Sequence, residues 1–305
     1  MADDPAAHVS HPLVTVLMPV HNGADHLPTA LASVFAQDFA DFELLVVDDG
    51  STDATPAVLA DCADPRLQVL RLERTGLVGA LNRGLDEARG EFIARLDADD
   101  EMLPGRVARQ VERFRRDPGL VACGSDYLLF GAASGLVRTP RGAKDCRAHL
   151  VFGSPIAHPA VMLRADALRA HGVRYRAEYP HAEDFKLFSE LAAIGTLENL
   201  AEPGLRYRIH PGQVSQVEAG PQQHVQLRIC AENLAACGVP VSVERLARLL
   251  WPSGRGWTAA LAYVVLRLPV VVWLGARSHW VAGAGQALLV GRERIRMLLH
   301  RPAAS

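Results

Sequence analysis

The chain has 305 residues, 49% hydrophobic and 22% charged, enough for one sizeable core and a smaller appendage. Thirty-two Lys and Arg stand against 34 Asp and Glu, a formal net charge of −2, so no basic field favours nucleic acid as the main partner. Five scattered cysteines, with no C-x-x-C spacing, argue against a disulfide framework or a zinc site and fit a reducing cytoplasm. Residues 1–12 are polar and acidic, lack the apolar core of a signal peptide, and read as a flexible start. Leu13 to Met18 then reads as a buried strand stopped by Pro19, with the loop Val20 to Gly23 after it. A helix is predicted from about Pro28, carrying Leu27, Ala30, Leu31, Val34 and Phe35 on one face. Phe42 to Val47 is a second strand ending in Asp48-Asp49-Gly50-Ser51-Thr52-Asp53, and Thr55-Pro56 reads as the N-cap and first turn of a helix. Leu67 to Leu72 is a third strand, followed by a helix marked by Leu77, Ala80, Leu81, Leu85 and Ala88. Strands that alternate with helices and are themselves nearly all apolar predict an α/β fold: a mostly parallel sheet covered on both faces.

The fourth strand, from Glu91, breaks into Asp97-Ala98-Asp99-Asp100-Glu101. Strand side chains two apart share a face, so Asp97 and Asp99 are expected to project together. At roughly 5 Å and an effective dielectric near 20 they repel by about 3 kcal/mol, which a hard cation such as Mg²⁺ or Mn²⁺ would relieve. The other reading is that these acids cap the helix that Pro104 introduces. Both acidic clusters fall at the carboxyl ends of strands, where such sheets bind ligands.

After Pro104 an Arg-rich amphipathic helix runs to about Arg116. Short strands follow at Val121 to Cys123, Tyr127 to Phe130 and Ala160 to Leu163. His181-Ala182-Glu183-Asp184 precedes a helix with Leu187, Phe188, Leu191 and Ala192, and Arg206 to Gly212 closes the globular pattern. Beyond about Val217 the chain reads as helical and without obvious chemistry. Its apolar run Trp257 to Gly275 has nearly the length of a bilayer span, but Arg267 and Pro269 lie in its middle. A buried helix, a surface helix and a span all remain open; Arg277, Arg292, Arg294, Arg296 and Arg301 suit peripheral contact with the inner face of a membrane.

Val14 to Asn22, Val46 to Asp53 and Leu96 to Asp100, with Asn82-Arg83-Gly84 and Ala88 to Glu91 between them, together resemble family 2 glycosyltransferases of the GT-A fold. The resemblance is strong from Leu13 to Pro104 and continues to about Ser215. It implies a catalytic domain over 13–216, with a nucleotide-sugar half (13–104) and an acceptor half (105–216), and a helical extension over 217–305. It further implies inverting transfer from a nucleotide-diphosphate-sugar, with UDP favoured, to a hydroxyl of a glycan or lipid-linked acceptor. Donor contacts fall on Pro19, Asn22, Asp49, Asn82 and Asp97, with Asp49 at the base and Asp97 at the ribose. Asp99 and His210 match the ligands of a Mn²⁺ or Mg²⁺ ion, and Glu183 and Asp184 match the E-D pair whose second acid acts as base. Where family members often carry a basic residue, this chain has Glu190. The chemistry has its own logic: the departing diphosphate needs positive charge near it, and a hydroxyl at neutral pH needs a carboxylate to take its proton.

Rival readings lack parts. A receiver-type signalling domain ends its first strand, not its second, in such an acidic pair, and a haloacid-dehalogenase-like phosphatase needs other residues after D-x-D. No G-x-G-x-x-G follows the first strand, and no G-x-x-x-x-G-K-[ST] is present. A sugar nucleotidyltransferase on a similar scaffold stays open.

Overall fold

The computed structural model describes residues 11–211, 219–250, 268–273, 276 and 288. In the first third, strands β1 (Val14–Val20), β2 (Phe42–Asp49), β3 (Leu67–Leu72) and β4 (Phe92–Arg95) alternate with helices α1 (Leu27–Phe35), α2 (Thr55–Ala60) and α3 (Gly76–Glu87). β5 (Glu101–Met102), α4 (Arg106–Arg116), β6 (Leu120–Gly131), β7 (Gly135–Val137) and α5 (Gly142–His149) come next. They are followed by β8 (Met162–Arg164), α6 (Ala165–His171), α7 (Glu183–Leu191) and β9 (Thr196–Ile209). Helices α8 (Ala219–Ala236) and α9 (Val243–Leu250) complete the long described elements.

The nine strands among the described residues join one sheet in the order β3-β2-β1-β4-β8-β6-β9-β5, with β7 paired to β6. β3, β2, β1 and β4 are parallel, as their apolar runs predict, whereas β8 enters antiparallel between β4 and β6. Alternation sorts the side chains of β1 and β2 onto two cores. Val14, Val16 and Met18 meet α1, α2 and α4 on one side. Leu17, Leu45 and Val47 meet α3, α7 and the helices after residue 219 on the other. Pro19 is buried in β1, but β4 pairs with β1 only as far as Leu17, so the missing N–H interrupts no ladder there.

The residues between the acidic clusters serve the scaffold. A side chain at Gly84 would overlap Leu17, so this glycine lets α3 sit down on β1; one at Gly90 would meet backbone of Val14 and Thr15. Arg89 pairs with buried Glu43, which also accepts the Thr15 hydroxyl at 2.7 Å. Arg106 is wholly buried and pairs with no carboxylate among the described residues. It donates to the carbonyls of Pro159 (2.8 Å), Arg95 (2.8 Å) and Val161 (3.2 Å), tying α4 to the end of β4. Burial pushes its pKa down to about 9.

Several predicted details change. β3 is an edge strand with Gln68, Val69 and Arg71 exposed. The predicted strands at Val121 and Tyr127 are parts of one strand, β6, with a register shift between Ser125 and Tyr127. Thr55 is the first helical residue of α2 instead of its cap, and its hydroxyl accepts the Gly23 N–H at 2.9 Å. Among the described residues no helix is long and apolar enough to cross a membrane. Of Trp257 to Gly275 only 268–273 is described, and there Val271 is fully buried in the α7 core. Residues 1–10 and the five tail arginines lie outside the described residues.

Candidate active site

β4 ends at Arg95, and the acids that follow sit on a turn, not on alternating strand positions. The Asp100 N–H donates to the Asp97 carbonyl at 3.2 Å, closing the turn. That turn gathers three acids where strand spacing predicted two: Asp97, Asp99 and Asp100 each offer an oxygen within 4.8 Å of the others. β9 folds over them. Its Arg208 donates from the backbone N–H to Asp100 Oδ1 (2.8 Å) and from Nε to the Asp99 carbonyl (2.7 Å). His210 Nε2 lies 3.0 Å from Asp99 Oδ2. None of these acids caps α4, whose first turn holds no acid and whose N-cap is Gly105 in the left-handed region. The capping reading fails on that geometry.

Burial, with the charges of Asp97 and Asp99 added, holds the Asp100 pKa far above the usual carboxylate range, and its Oδ2 is buried without a partner. Burial also raises Asp97, while its ion pair with Arg95 works against the rise. Three clustered carboxylates, one with an orphan oxygen, and a neighbouring imidazole form a donor set that fits a hard divalent cation.

Across a cleft of about 310 Å³ stand Glu183 and Asp184, in the first turn of α7. His181, left-handed at φ 63, turns the chain into that helix, and Gln222 of α8 donates to its carbonyl at 2.8 Å. Burial, then the charge of Glu183, pushes the Asp184 pKa up to about 7, and burial raises Glu183 as well. His158 lines the cleft, and its Nε2 lies 2.8 Å from the Tyr175 hydroxyl. Burial pushes the His158 pKa down and that of Tyr175 up, so both are neutral at pH 7.

The cleft lining thus includes Asp97, Asp99, Glu183 and Asp184. His210 adjoins it through Asp99, and Pro19, Asn22, Asp49 and Asn82 are not among its lining residues. Asn22, left-handed at φ 53, accepts the Thr52 N–H at 2.8 Å and staples the β1 loop to the β2 loop. Asp49 accepts from Thr75 N–H (2.6 Å), Thr75 hydroxyl (2.8 Å) and Gly76 N–H (2.8 Å), capping α3. Asn82 exchanges both amide groups with the backbone of Tyr175, at 3.0 and 3.1 Å. Sequence reasoning missed Arg95, Tyr127, Tyr207 and Gln222 in the cleft. For Arg95 a signal existed: a charge inside an otherwise apolar strand.

The model of the Glycosyl transferase family 2 family matches residues 15–141. An uncharacterized glycosyltransferase of Haemophilus influenzae is 29% identical over 258 residues, covering 78% of this chain and 80% of that protein. Uncharacterized glycosyltransferase RP339 of Rickettsia prowazekii is 30% identical over 221 residues, 68% of this chain and 67% of its own. Other relatives run longer, and one is covered over 32% of its length. Among solved structures, S. aureus TarS 1-349 in complex with UDP-GlcNAc aligns with TM-score 0.63 at 18% identity, covering 94% of this chain and 83% of that one. Mannosyltransferase PcManGT from Pyrobaculum calidifontis, in complex with GDP-Man and Mn²⁺, aligns with TM-score 0.57 at 20% identity, over 92% and 88%. The chain belongs to glycosyltransferase family 2: it is a transferase of the GT-A fold.

Proposed function

We propose that the protein transfers a sugar, with inversion, from a UDP-sugar to a hydroxyl of a glycan or lipid-linked acceptor. The observation that carries this reading is one cleft with an acidic cluster at Asp97, Asp99 and Asp100 on one side and the Glu183–Asp184 pair on the other. Asp184 takes the proton of the acceptor hydroxyl, whose oxygen attacks the anomeric carbon from the face opposite the nucleoside diphosphate. Asp97 contacts the ribose. Asp49 meets the uracil imide N–H with the acceptor site that its three bonds to Thr75 and Gly76 leave open. Asp99 and His210 would hold Mn²⁺ or Mg²⁺, and a cation there supplies charge for the leaving diphosphate. The catalytic unit takes in 13–216 together with α8, whose Gln222 lines the cleft, and the tail from Trp257 holds the chain against the inner face of a membrane.

The test supplies UDP-sugars and measures UDP release with Mn²⁺ and with excess chelator, in wild type and Asp99→Ala. Both chelator and substitution are expected to abolish release, along with the metal-dependent part of donor binding. Full activity in chelator overturns the metal assignment. Pyrophosphate released from a nucleoside triphosphate instead would make the enzyme a nucleotidyltransferase.

A further inference from the structure

Arg95 is the last residue of β4, its side chain is 3% exposed, and it lines the floor of the cleft. Its Nη2 pairs with Asp97. Its Nε and Nη1 are buried and make no hydrogen bond to the described residues. Two unpaired guanidinium donors at such depth are costly, and a site keeps them when a ligand completes them. The side chain stands between the two functional groups of the cleft: it touches Asp97 on one side, and its charge reaches Glu183 and Asp184 on the other. On the reading above, the diphosphate lies toward Asp99 and the attacking hydroxyl toward Asp184, so the ring being transferred passes over Arg95.

The free donors also restrict the chemistry of what they hold. Around the guanidinium perimeter Nη2, which Asp97 occupies, lies between Nε and Nη1, so the two free donors share no fork. A carboxylate or phosphate gripped in bidentate fashion needs two donors on one edge. Separate donors fit separate oxygens, as on a polyol. Acids at Asp97, Asp99, Glu183 and Asp184 further disfavour a second anion beside them. We infer that Arg95 is a specificity residue for the transferred sugar, donating from Nε and Nη1 to two hydroxyl oxygens of a neutral hexose ring.

This rests on the nucleotide-sugar reading, and the experiment separates the two. Calorimetry with Mn²⁺ compares UDP, UDP-glucose, UDP-GlcNAc and GDP-mannose on wild type, Arg95→Lys and Arg95→Met. Lysine keeps a cation for Asp97 while removing both free donors, so it serves where methionine fails to fold; thermal unfolding checks each variant. The expected result is a roughly ten- to hundredfold loss of affinity for the sugar-bearing ligand in both variants, with free UDP bound as in wild type. A deoxy-sugar analogue lacking the contacted hydroxyl should weaken wild type and leave Arg95→Lys unchanged. Equal losses for UDP and its sugar conjugate would make Arg95 only a support for Asp97 and overturn the inference. Full sugar affinity in a folded Arg95→Lys overturns it too. If wild type binds none of the nucleotide-sugars, the proposed function falls, and this inference with it.

Discussion

Asp184 is subject to opposing influences on its proton. As the second residue of α7 it sits where the helix dipole favours a carboxylate, and its own and the Phe185 backbone N–H groups lower its pKa. Burial outweighs them, the charge of Glu183 adds to it, and the pKa rises to about 7. A general base works only when ionised, so turnover should climb about tenfold per pH unit below that value and level off above it. Asp184→Asn should lose roughly a hundredfold or more in turnover with donor affinity near wild type, and Glu183→Gln should lose less. The raised pKa also has a stability consequence. The folded state holds this proton more tightly than the unfolded chain, so the stabilising contribution is full at low pH and is lost as pH rises through about 7. Asparagine stays neutral throughout, so the Tm of Asp184→Asn relative to wild type should rise progressively from about pH 4 and level off above about pH 7. A flat rate profile from about pH 6 to pH 8, together with a mild Asp184→Asn, would move the base elsewhere.

At the scale of elements, the end of β2 couples the proposed donor contact of Asp49 to the placement of α3. A strand-end carboxylate in a loop would contribute little to stability, but Asp49 is 4% exposed and holds the first N–H groups of α3. Asp49→Ala is therefore expected to cost about 1 kcal/mol of stability, as lost caps do, as well as a ten- to hundredfold loss in UDP-sugar affinity. Denaturant unfolding and calorimetry measure the two effects separately. Reduced stability with unchanged donor affinity would leave Asp49 a scaffold residue. The same region shows what sequence can and cannot reveal. β1, β2 and β4 are legible because both faces are buried and the runs are continuously apolar. β9 is not, since it is half-exposed, mixes charges with apolar residues and carries Pro203-Gly204 in mid-strand. The acidic clusters are legible as composition. Their geometry is not, because a turn converges Asp97, Asp99 and Asp100, and where β4 stops is set by its pairing with β1. Arg106 and Gln110, placed in the apolar stripe of α4 with Val107, Val111 and Phe114, were a readable sign of a buried polar staple.

On the scale of the whole molecule, the helices after residue 219 belong to the catalytic body in packing and partly in chemistry. Leu227, Cys230, Leu234 and Leu246 share a core with Phe185 and Phe188 of α7. Glu232 accepts from Lys186 (2.9 Å) and from the Tyr179 hydroxyl (3.0 Å), clamping α8 against the helix that carries the acid pair. Gln222 reaches the cleft from the same helix, so a segment that read as lacking chemistry helps to wall the site. Further on, Val271 is buried in that core whereas Trp273 is 54% exposed, so this short stretch turns one side to the body and another outward. The arginines beyond it give the proposed membrane contact a measurable form. A cation near an anionic surface contributes about 1 kcal/mol. Replacing Arg292, Arg294 and Arg296 together with glutamine should therefore lower partitioning onto phosphatidylserine vesicles roughly a hundredfold. Wild type should co-sediment with such vesicles in about 0.1 M salt and come off in about 1 M, where the screening length falls from roughly 10 Å to 3 Å. Neutral vesicles should hold it weakly. Binding that ignores both salt and the three substitutions would point to apolar insertion instead, and a chain that never sediments with anionic vesicles has no peripheral contact through this tail.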